Sequence, residues 1–293
     1  MRSVSSSLKQ IKQALKAYDY QRSLVLSLKA LRDFPQHGEL RFCAGKSASA
    51  LGMYDLALSH LSFALSIDPF NLERIRSYLQ ALCQLHLYEE LITYLQRYAS
   101  GQIHSAELSF MEGYAREKLG DLAQSRACYK EAFTADPKHE RALAAYGKIC
   151  LKMNNLNSAK IALKQACQLN PSRAEYLYLY GRSLSLSGQT KEALKSYKKA
   201  LRYRPHYHAV HFELGMHWES RKTKRAIKHY QSAIMHSSSE CIYQAYERLG
   251  HLKLKQGRHS EALEYFRVYL TYASNDERQS IINIYQRLLK LSS

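Results

Sequence analysis

The prolines of this 293-residue chain recur with one fixed period, and no other feature restricts its fold as strongly. The chain has only five of them, at Pro35, Pro69, Pro137, Pro171 and Pro205. Every gap is 34 residues or twice 34, and the missing member of the series falls at Ile103. Such self-similarity indicates stacked copies of one small unit, because a unit of this size cannot bury its apolar face alone.

The glycines keep the same period in two series. The first comprises Gly45, Gly113, Gly147, Gly181, Gly215 and Gly250. The second lies seven residues later and comprises Gly52, Gly120, Gly188 and Gly257. We expect the first series to let two helices approach closely. We expect the second to lie in the turn between them, where a positive φ costs least for glycine.

Between these markers the sequence predicts α-helices. In residues 158–169, "SAKIALKQACQL", apolar side chains recur three and four positions apart, which is the spacing of one helix face. Proline ends each repeat because it cannot continue the preceding helix. With 46% apolar residues, a chain of this length can bury a continuous core.

The recurring positions resemble those of the tetratricopeptide repeat, a family of helix-turn-helix units. One repeat shows the pattern at Leu177, Tyr180, Gly181, Leu184, Ala193, Tyr197 and Pro205. The preceding repeat shows it at Leu143, Tyr146, Gly147, Cys150, Ala159, Leu163 and Pro171. The resemblance implies an all-α, right-handed superhelical solenoid of about eight helix-turn-helix repeats of 34 residues.

The period places the repeats over residues 1–276. Their predicted first residues are Val4, Gly38, Leu72, Ala106, Glu140, Ala174, His208 and Tyr243. An amphipathic tail at 277–293 is expected to form a C-terminal capping helix, which such arrays need for solubility.

Three repeats depart from the common pattern. Ile11 in the first repeat and Leu79 in the third stand where other repeats have glycine. In the seventh, Trp218 and Ala226 are eight residues apart, whereas the corresponding residues elsewhere are nine apart. This count predicts that the turn of the seventh repeat is one residue shorter.

Other patterns indicate a cytoplasmic protein. No apolar run approaches the roughly 20 residues needed to span a bilayer. The N-terminal stretch lacks the apolar block of a secretory signal, so we expect the mature chain to begin near Met1. The cysteines form no CxxC pair and are expected to be reduced, buried thiols: Cys43, Cys83, Cys128, Cys150, Cys167 and Cys241.

Residues 204–230 contain five histidines and the only tryptophan. A metal site there would use His206, His208 and His211, but no cysteine or carboxylate stands at a helpful spacing. The segment coincides with the seventh repeat, so its histidines are interpreted as core or surface residues. We predict no metal and no cofactor.

The net charge is +18, and residues 174–293 carry +10 of it. We define the basic patch as nine residues in this part of the chain: Lys191, Lys195, Lys198, Lys199, Arg202, Arg221, Lys222, Lys224 and Arg225. Such a cluster is either a solvated helix surface or a binding surface for an anionic membrane, RNA or an acidic protein.

The chain shows no HExxH, GxSxG or Rossmann glycine motif, so the sequence predicts a protein that is not an enzyme. The family resemblance implies a groove lined by the first helix of each repeat, which binds another protein as an extended peptide or a helix. Mapping its innermost positions gives Phe42, Lys46, Phe110, Tyr114, Lys148, Tyr178, Arg182 and Phe212.

The predicted groove residues alternate between rings and cations, which favours an acidic peptide with apolar anchors. Three alternatives stay open. The first is that the rings pack between repeats rather than bind a partner. The second is an accessory subunit that presents a substrate to a separate transferase. The third is binding of an anionic surface or RNA through the basic last third. Nothing in the sequence predicts the oligomeric state.

Overall fold

A computed structural model describes residues 4–99, 105–236 and 243–292, and across these ranges it contains helices and no strands. The first eight helices, α1 to α8, span Val4–Lys16, Tyr20–Asp33, Gly38–Ala50, Tyr54–Ile67, Leu72–Gln84, Tyr88–Tyr94, Ala106–Lys118 and Leu122–Ala135. The remaining helices, α9 to α17, span Glu140–Lys152, Leu156–Leu169, Ala174–Leu186, Thr190–Tyr203, His208–Glu219, Thr223–Met235, Tyr243–Lys255, His259–Tyr272 and Asn275–Ser292. Ile103 and Cys241 lie outside the described residues.

The helices pack in sequence order. Within a repeat the first helix packs on the second, as α3 does on α4 and α11 on α12. The second helix then packs on the first helix of the next repeat, as α4 does on α5 and α14 on α15. Contacts limited to neighbouring repeats define a helical solenoid, so the predicted all-α repeat fold is confirmed.

The chain divides into two compact units, Met1–Ile149 and Cys150–Ser293, with the boundary inside α9. In the N-terminal unit, one apolar cluster centres on Ile11, Leu40 and Leu61, and another on Leu79 and Tyr129. In the C-terminal unit, clusters follow one another along the repeats, and the last packs α17 on α16 through Ile281 and Leu288. Each core is therefore built between adjacent helices rather than around one centre.

The first glycine series allows the close helix approach that its spacing predicts. A Cβ atom at Gly181 would lie 2.5 Å from Cε1 of Tyr197 on the second helix of the same repeat. A Cβ atom at Gly250 would meet the Phe266 ring at the same distance. Both rings are fully buried, so the missing Cβ creates the space in which each ring packs.

The two repeats without this glycine solve the packing differently. Ile11 is fully buried, and the residue sixteen positions later, where other repeats place a large side chain, is the buried Ser27. In the third repeat, the residue sixteen positions after Leu79 is Leu95. A π-helical turn over Leu95–Ala99 follows α6 in this repeat. A large residue on the first helix thus occurs with either a small partner or an altered second helix.

The second glycine series has the positive φ that the turn requires, 77° at Gly52 and 85° at Gly120. Tyr18, His86 and Asn154 adopt the same conformation at the corresponding places in the first, third and fifth repeats, with φ between 57° and 60°. A non-glycine residue in this region costs of the order of 1 kcal/mol or more, and asparagine tolerates it best. The sequence pattern did not predict these three turns, because it relied on glycine.

The prediction of a shorter turn in the seventh repeat is wrong. Its turn, residues 220–222, has three residues like the others, and α13 has 12 residues where the other first helices have 13. No described residue of this turn has a positive φ. The amide of Lys222 instead donates to the Trp218 carbonyl at 2.8 Å, four residues back. Compared with the other repeats, the seventh therefore lacks one residue at the end of α13 and none in the turn.

The described cysteines are all free thiols. Cys43, Cys128 and Cys150 are buried as predicted, whereas Cys83 and Cys167 are half-buried. Burial raises the pKa of the Cys43 thiol to about 11, so it is neutral at physiological pH. In the described ranges, none of the helices has the length and apolar character required to cross a membrane.

We predict that Gly181→Ala destabilises the C-terminal unit. Alanine gains roughly 1 kcal/mol of helix propensity over glycine, but its Cβ overlaps the Tyr197 ring and forces a costly repacking. The net loss in the free energy of unfolding is expected to be about 1–3 kcal/mol, measured by urea denaturation. Ser185→Ala, at an exposed position of the same helix, is the control and should leave stability nearly unchanged.

The overlap between a Cβ at position 181 and the Tyr197 ring also predicts that substitutions at these two positions have non-additive effects on stability. The double variant Gly181→Ala with Tyr197→Ser should lose less free energy of unfolding than the sum of the losses in the two single variants. The reason is that a small side chain then faces the new methyl group, as Ser27 accompanies Ile11. Simple additivity would contradict the proposed ring contact.

Candidate functional site

A surface groove of the N-terminal unit lies along its first helices. It has a cavity volume of about 670 Å³. Residues of α3, α5 and α7 form most of its lining, with one residue each from α2, α4, the turn after α5, and α9. We call it the N-terminal groove, and its principal lining residues are Lys46, Arg76, Gln80, Phe110, Tyr114 and Arg141.

Cations outnumber carboxylates in the N-terminal groove. Glu107 is the sole carboxylate residue among the described residues that line it, and its Oε1 lies 3.7 Å from Nη1 of Arg141. Lys46 is paired with Glu73, with Nζ 2.7 Å from Oε1. Arg76 is exposed and forms no ion pair with any described residue. The groove therefore has an excess of positive charge.

The aromatic residues predicted to bind a partner differ in accessibility. Phe110 is buried and packs between the Tyr129 ring and the Arg141 guanidinium, so it forms the floor of the groove. Tyr114 is half-exposed on the groove wall. Phe42 is buried in the core and does not line the groove, a position that agrees with packing between repeats. Contact of these rings with a partner stays a prediction.

A second groove lies in the C-terminal unit, between α11, α13, α15 and α17. It has a cavity volume of about 510 Å³ and is named the C-terminal groove. Two of the predicted residues, Arg182 and Phe212, line it, whereas Tyr178 does not. Tyr178 instead packs on Tyr197 and Tyr207 in the core. The predicted groove residues are thus divided among two grooves and the interior.

The C-terminal groove has the opposite charge balance. Its two cations, Arg182 and Arg248, face three carboxylates, Glu213, Glu247 and Glu277. Arg182 Nε lies 3.1 Å from Glu213 Oε1. Burial raises the pKa of Glu213, and the Arg182 charge and the Tyr197 hydroxyl oppose that effect. The cations of this groove are therefore already balanced by the chain itself.

Ion pairs between first helices of adjacent repeats account for most of the predicted anchoring cations. Lys148 Nζ lies 3.0 Å from Glu117 Oε1, and Lys46 and Arg182 are paired in the same way. Lys148 lies outside both grooves. The cation of each pair is exposed, whereas Glu117 and Glu213 are largely buried, so only the Lys46–Glu73 pair is a surface pair of the kind that contributes about 0–1 kcal/mol. All three pairs compete with any carboxylate that a partner would bring.

Sequence reasoning missed Arg76 and Gln80, although the signal was available. They stand 34 residues after Phe42 and Lys46, at the same two inner positions of the third repeat. That repeat lacks the framework glycine and was not mapped. Its first helix α5 is nevertheless regular and begins on the same period. The exposed cation of the N-terminal groove therefore follows from the period alone.

All nine residues of the basic patch are exposed. Five lie on α12, two in the turn after α13 and two in the first turn of α14. Within the ranges that the structure describes, none of the nine forms an ion pair. The Arg225 guanidinium lies 4.7 Å from the centre of the Trp218 ring, so one member has an aromatic partner.

The histidines of the seventh repeat form two side-chain pairs. His211 Nε2–H donates to the Pro205 carbonyl at 3.0 Å, which leaves His211 Nδ1 to accept from His229 at 3.1 Å. The His206 and His236 rings lie 4.0 Å apart, centre to centre. No group of three potential metal ligands occurs among the described residues. The pairs thus link side chains of neighbouring elements within this part of the chain.

Comparisons with known proteins agree with these observations. Family profiles described as tetratricopeptide repeat match residues 118–182, 174–207 and 243–276. A tetratricopeptide repeat protein from Parabacteroides merdae superposes with a TM-score of 0.65 at 15% identity, covering 86% of this chain and 98% of that one. At that identity the likeness shows the fold alone.

Two curated relatives are similar to parts of the chain. Human tetratricopeptide repeat protein 6 is 24% identical over 209 residues, which cover 68% of this chain and 39% of that protein. A probable UDP-N-acetylglucosamine–peptide N-acetylglucosaminyltransferase, SPINDLY, of Hordeum vulgare is 32% identical over 100 residues, covering 32% of this chain and 11% of that protein. The chain thus spans about two fifths or less of these relatives.

The histidine pairs predict a loss of stability in mild acid. Burial, with smaller effects from His211 and Arg225, lowers the pKa of His229 to about 4, below the ordinary value of 6.5. Between these two values the unfolded chain takes up a proton that the folded chain does not, so the free energy of unfolding falls as pH decreases from about 6.5 to about 4. Melting temperatures followed by circular dichroism should show this decline.

His229→Gln should reduce the pH dependence, because the substituted side chain does not titrate. His259→Gln, at an exposed position on α16, is the control and should leave the dependence unchanged. Equal slopes in the wild type and His229→Gln would contradict the role given to His229.

Proposed function

Since the chain belongs to the tetratricopeptide repeat family, we propose that it is a non-catalytic scaffold whose N-terminal groove binds an extended acidic segment of another protein. Repeats of this family and fold support a protein-interaction scaffold. To this general role the proposal adds the groove that binds the partner and the acidic character of the bound segment. The observation that carries it is the excess of cations in an open groove, with Arg76 forming no ion pair with any residue that the structure describes.

The groove offers the two kinds of contact that such a segment needs. Arg76 can donate two parallel hydrogen bonds to a carboxylate, a geometry that lysine does not provide. Tyr114 and the edge of Phe110 supply apolar surface with little loss of side-chain freedom. Gln80, also on α5, can pair with the backbone of an extended chain. Acidic and apolar residues in alternation would meet complementary partners here.

The C-terminal groove is the weaker candidate for the same ligand. Its carboxylates outnumber its cations, and Arg182 and Arg248 are both paired with glutamates. An acidic segment there would meet like charges and would have to break existing pairs. The charge balance therefore supports the N-terminal groove as the acidic-peptide site.

We place the protein in the cytoplasm. The five described cysteines are unpaired, and free thiols are typical of a reducing compartment. Fractionation of cells into cytosol, membranes and exported material tests this placement.

Selection of binders from a display library of random short peptides tests the groove. We expect the selected peptides to be rich in aspartate and glutamate with interspersed apolar residues. Arg76→Glu should weaken the binding of a selected peptide by at least about tenfold, because a charge-assisted hydrogen bond contributes about 1.5–3 kcal/mol. Isothermal titration calorimetry measures the change in Kd.

Arg32→Glu makes the same charge change at an exposed position of α2, outside the groove, and is the matched control. It should bind the peptide nearly as tightly as the wild type. Recovery of basic peptides, or equal weakening by both variants, would rule out the N-terminal groove as an acidic-peptide site.

A further inference from the structure

Three of the four second helices of the C-terminal unit have an unusual composition, whereas the fourth, α16, contains one basic and two acidic residues. Together α10, α12 and α14 contain ten lysine and arginine residues and one acidic residue, Glu192. The basic patch accounts for seven of the ten, and Lys160, Lys164 and Lys228 complete them. Nine of the ten are exposed, with Lys160 half-buried. We call the exposed side of these three helices the second-helix face.

The second helices of the N-terminal unit show that the fold does not require this charge. There α2, α4, α6 and α8 contain five basic and five acidic residues. Both sets occupy the same place in the repeat and meet the same packing demands. The second helices of the N-terminal unit have a balanced surface. Solubility therefore does not require the basic excess of α10, α12 and α14.

The three helices lie side by side and form one surface. Lys199 on α12 is close enough to Cys167 on α10 for its charge to act on that thiol. The His206 ring, just after α12, packs 4.0 Å from the His236 ring, just after α14. Cations on neighbouring helices therefore add to a single positive field rather than acting separately.

One edge of this surface is apolar. The side chains of Leu169, Tyr203 and Met235 are 42%, 50% and 77% exposed. Each is the last residue of its helix, α10, α12 and α14 respectively. Leu169 and Tyr203 hold equivalent places of successive repeats and lie along the same edge, whereas Met235 is one residue before the corresponding place at the end of α14. A row of exposed apolar side chains beside a field of cations has the amphipathic character of an interfacial surface.

We propose that the second-helix face docks on an anionic lipid bilayer. The lysines would lie against acidic headgroups, and the apolar edge would enter the boundary between headgroups and acyl chains. The aliphatic members of the edge, Leu169 and Met235, favour a membrane over RNA, because phosphate contacts along a nucleic acid use cations and base stacking uses aromatic rings. Attachment of this kind is peripheral and leaves the N-terminal groove to act independently.

Co-sedimentation with vesicles tests the proposal. The full chain is mixed with vesicles of phosphatidylcholine alone, or with vesicles containing about a quarter phosphatidylserine. We expect binding only to the anionic vesicles. Lys195→Glu with Lys199→Glu on α12 should lower the partition coefficient by about 25-fold or more, because each basic residue near the surface contributes a factor of about five.

A matched variant carries the same charge change on the second helices of the other unit. Lys29→Glu with Lys130→Glu alters two exposed lysines of α2 and α8 and should retain most of the vesicle binding. A further variant, Tyr203→Ser with Met235→Ser, keeps every charge and should reduce vesicle binding without changing binding to polyuridylate.

Several results would overturn the proposal. They are the absence of binding to anionic vesicles, equal losses for the α12 variant and its matched control, and vesicle binding that does not depend on the apolar edge. Binding to polyuridylate with none to vesicles would assign the second-helix face to nucleic acid. Circular dichroism of each variant shows that a loss of binding is not a loss of fold.

Discussion

The contact between a first-helix glycine and a large second-helix side chain sets the spacing on which the structure depends. At Gly113, Gly181, Gly215 and Gly250 an aromatic ring occupies the space where a Cβ would be, and at Gly45 a leucine does. This fixes how closely the two helices of a repeat approach. The next repeat packs on the pair so formed, so each close approach also positions its neighbour. Where the glycine is absent, either the partner is small or the second helix changes its form.

This scaffold separates the charges of the chain by helix type. First-helix cations such as Lys46, Lys148 and Arg182 are held in pairs with glutamates of adjacent repeats. Among the described residues, the cations without an ion-pair partner include Arg76 in the N-terminal groove and the basic patch on the second-helix face. The positive charge of the sequence therefore lies on two kinds of surface. One is the N-terminal groove, which is suited to a peptide, and the other is the second-helix face with its apolar edge.

The 34-residue period predicts more of the candidate site than the repeats with a framework glycine show. Continued through the irregular third repeat, it places Arg76 and Gln80 on the groove, because the backbone of α5 keeps the phase even without the framework glycine. It does not distinguish Phe42 and Tyr178, which pack in or against the core and line neither groove, from Phe110, which lines the N-terminal groove. Those three share equivalent places in the repeat, and their exposure depends on which neighbouring side chains cover them.

The sequence by itself determined the fold class, the 34-residue period of the repeats and the role of two glycine series. These follow from local rules: apolar spacing, the restricted φ of proline and the freedom of glycine. Only the tertiary structure decided that α13, and not its turn, is short, that Tyr18 and His86 adopt a positive φ, and which cations are paired. Pairing depends on distances between side chains of different repeats, and those distances are set by how the helices pack rather than by any local pattern.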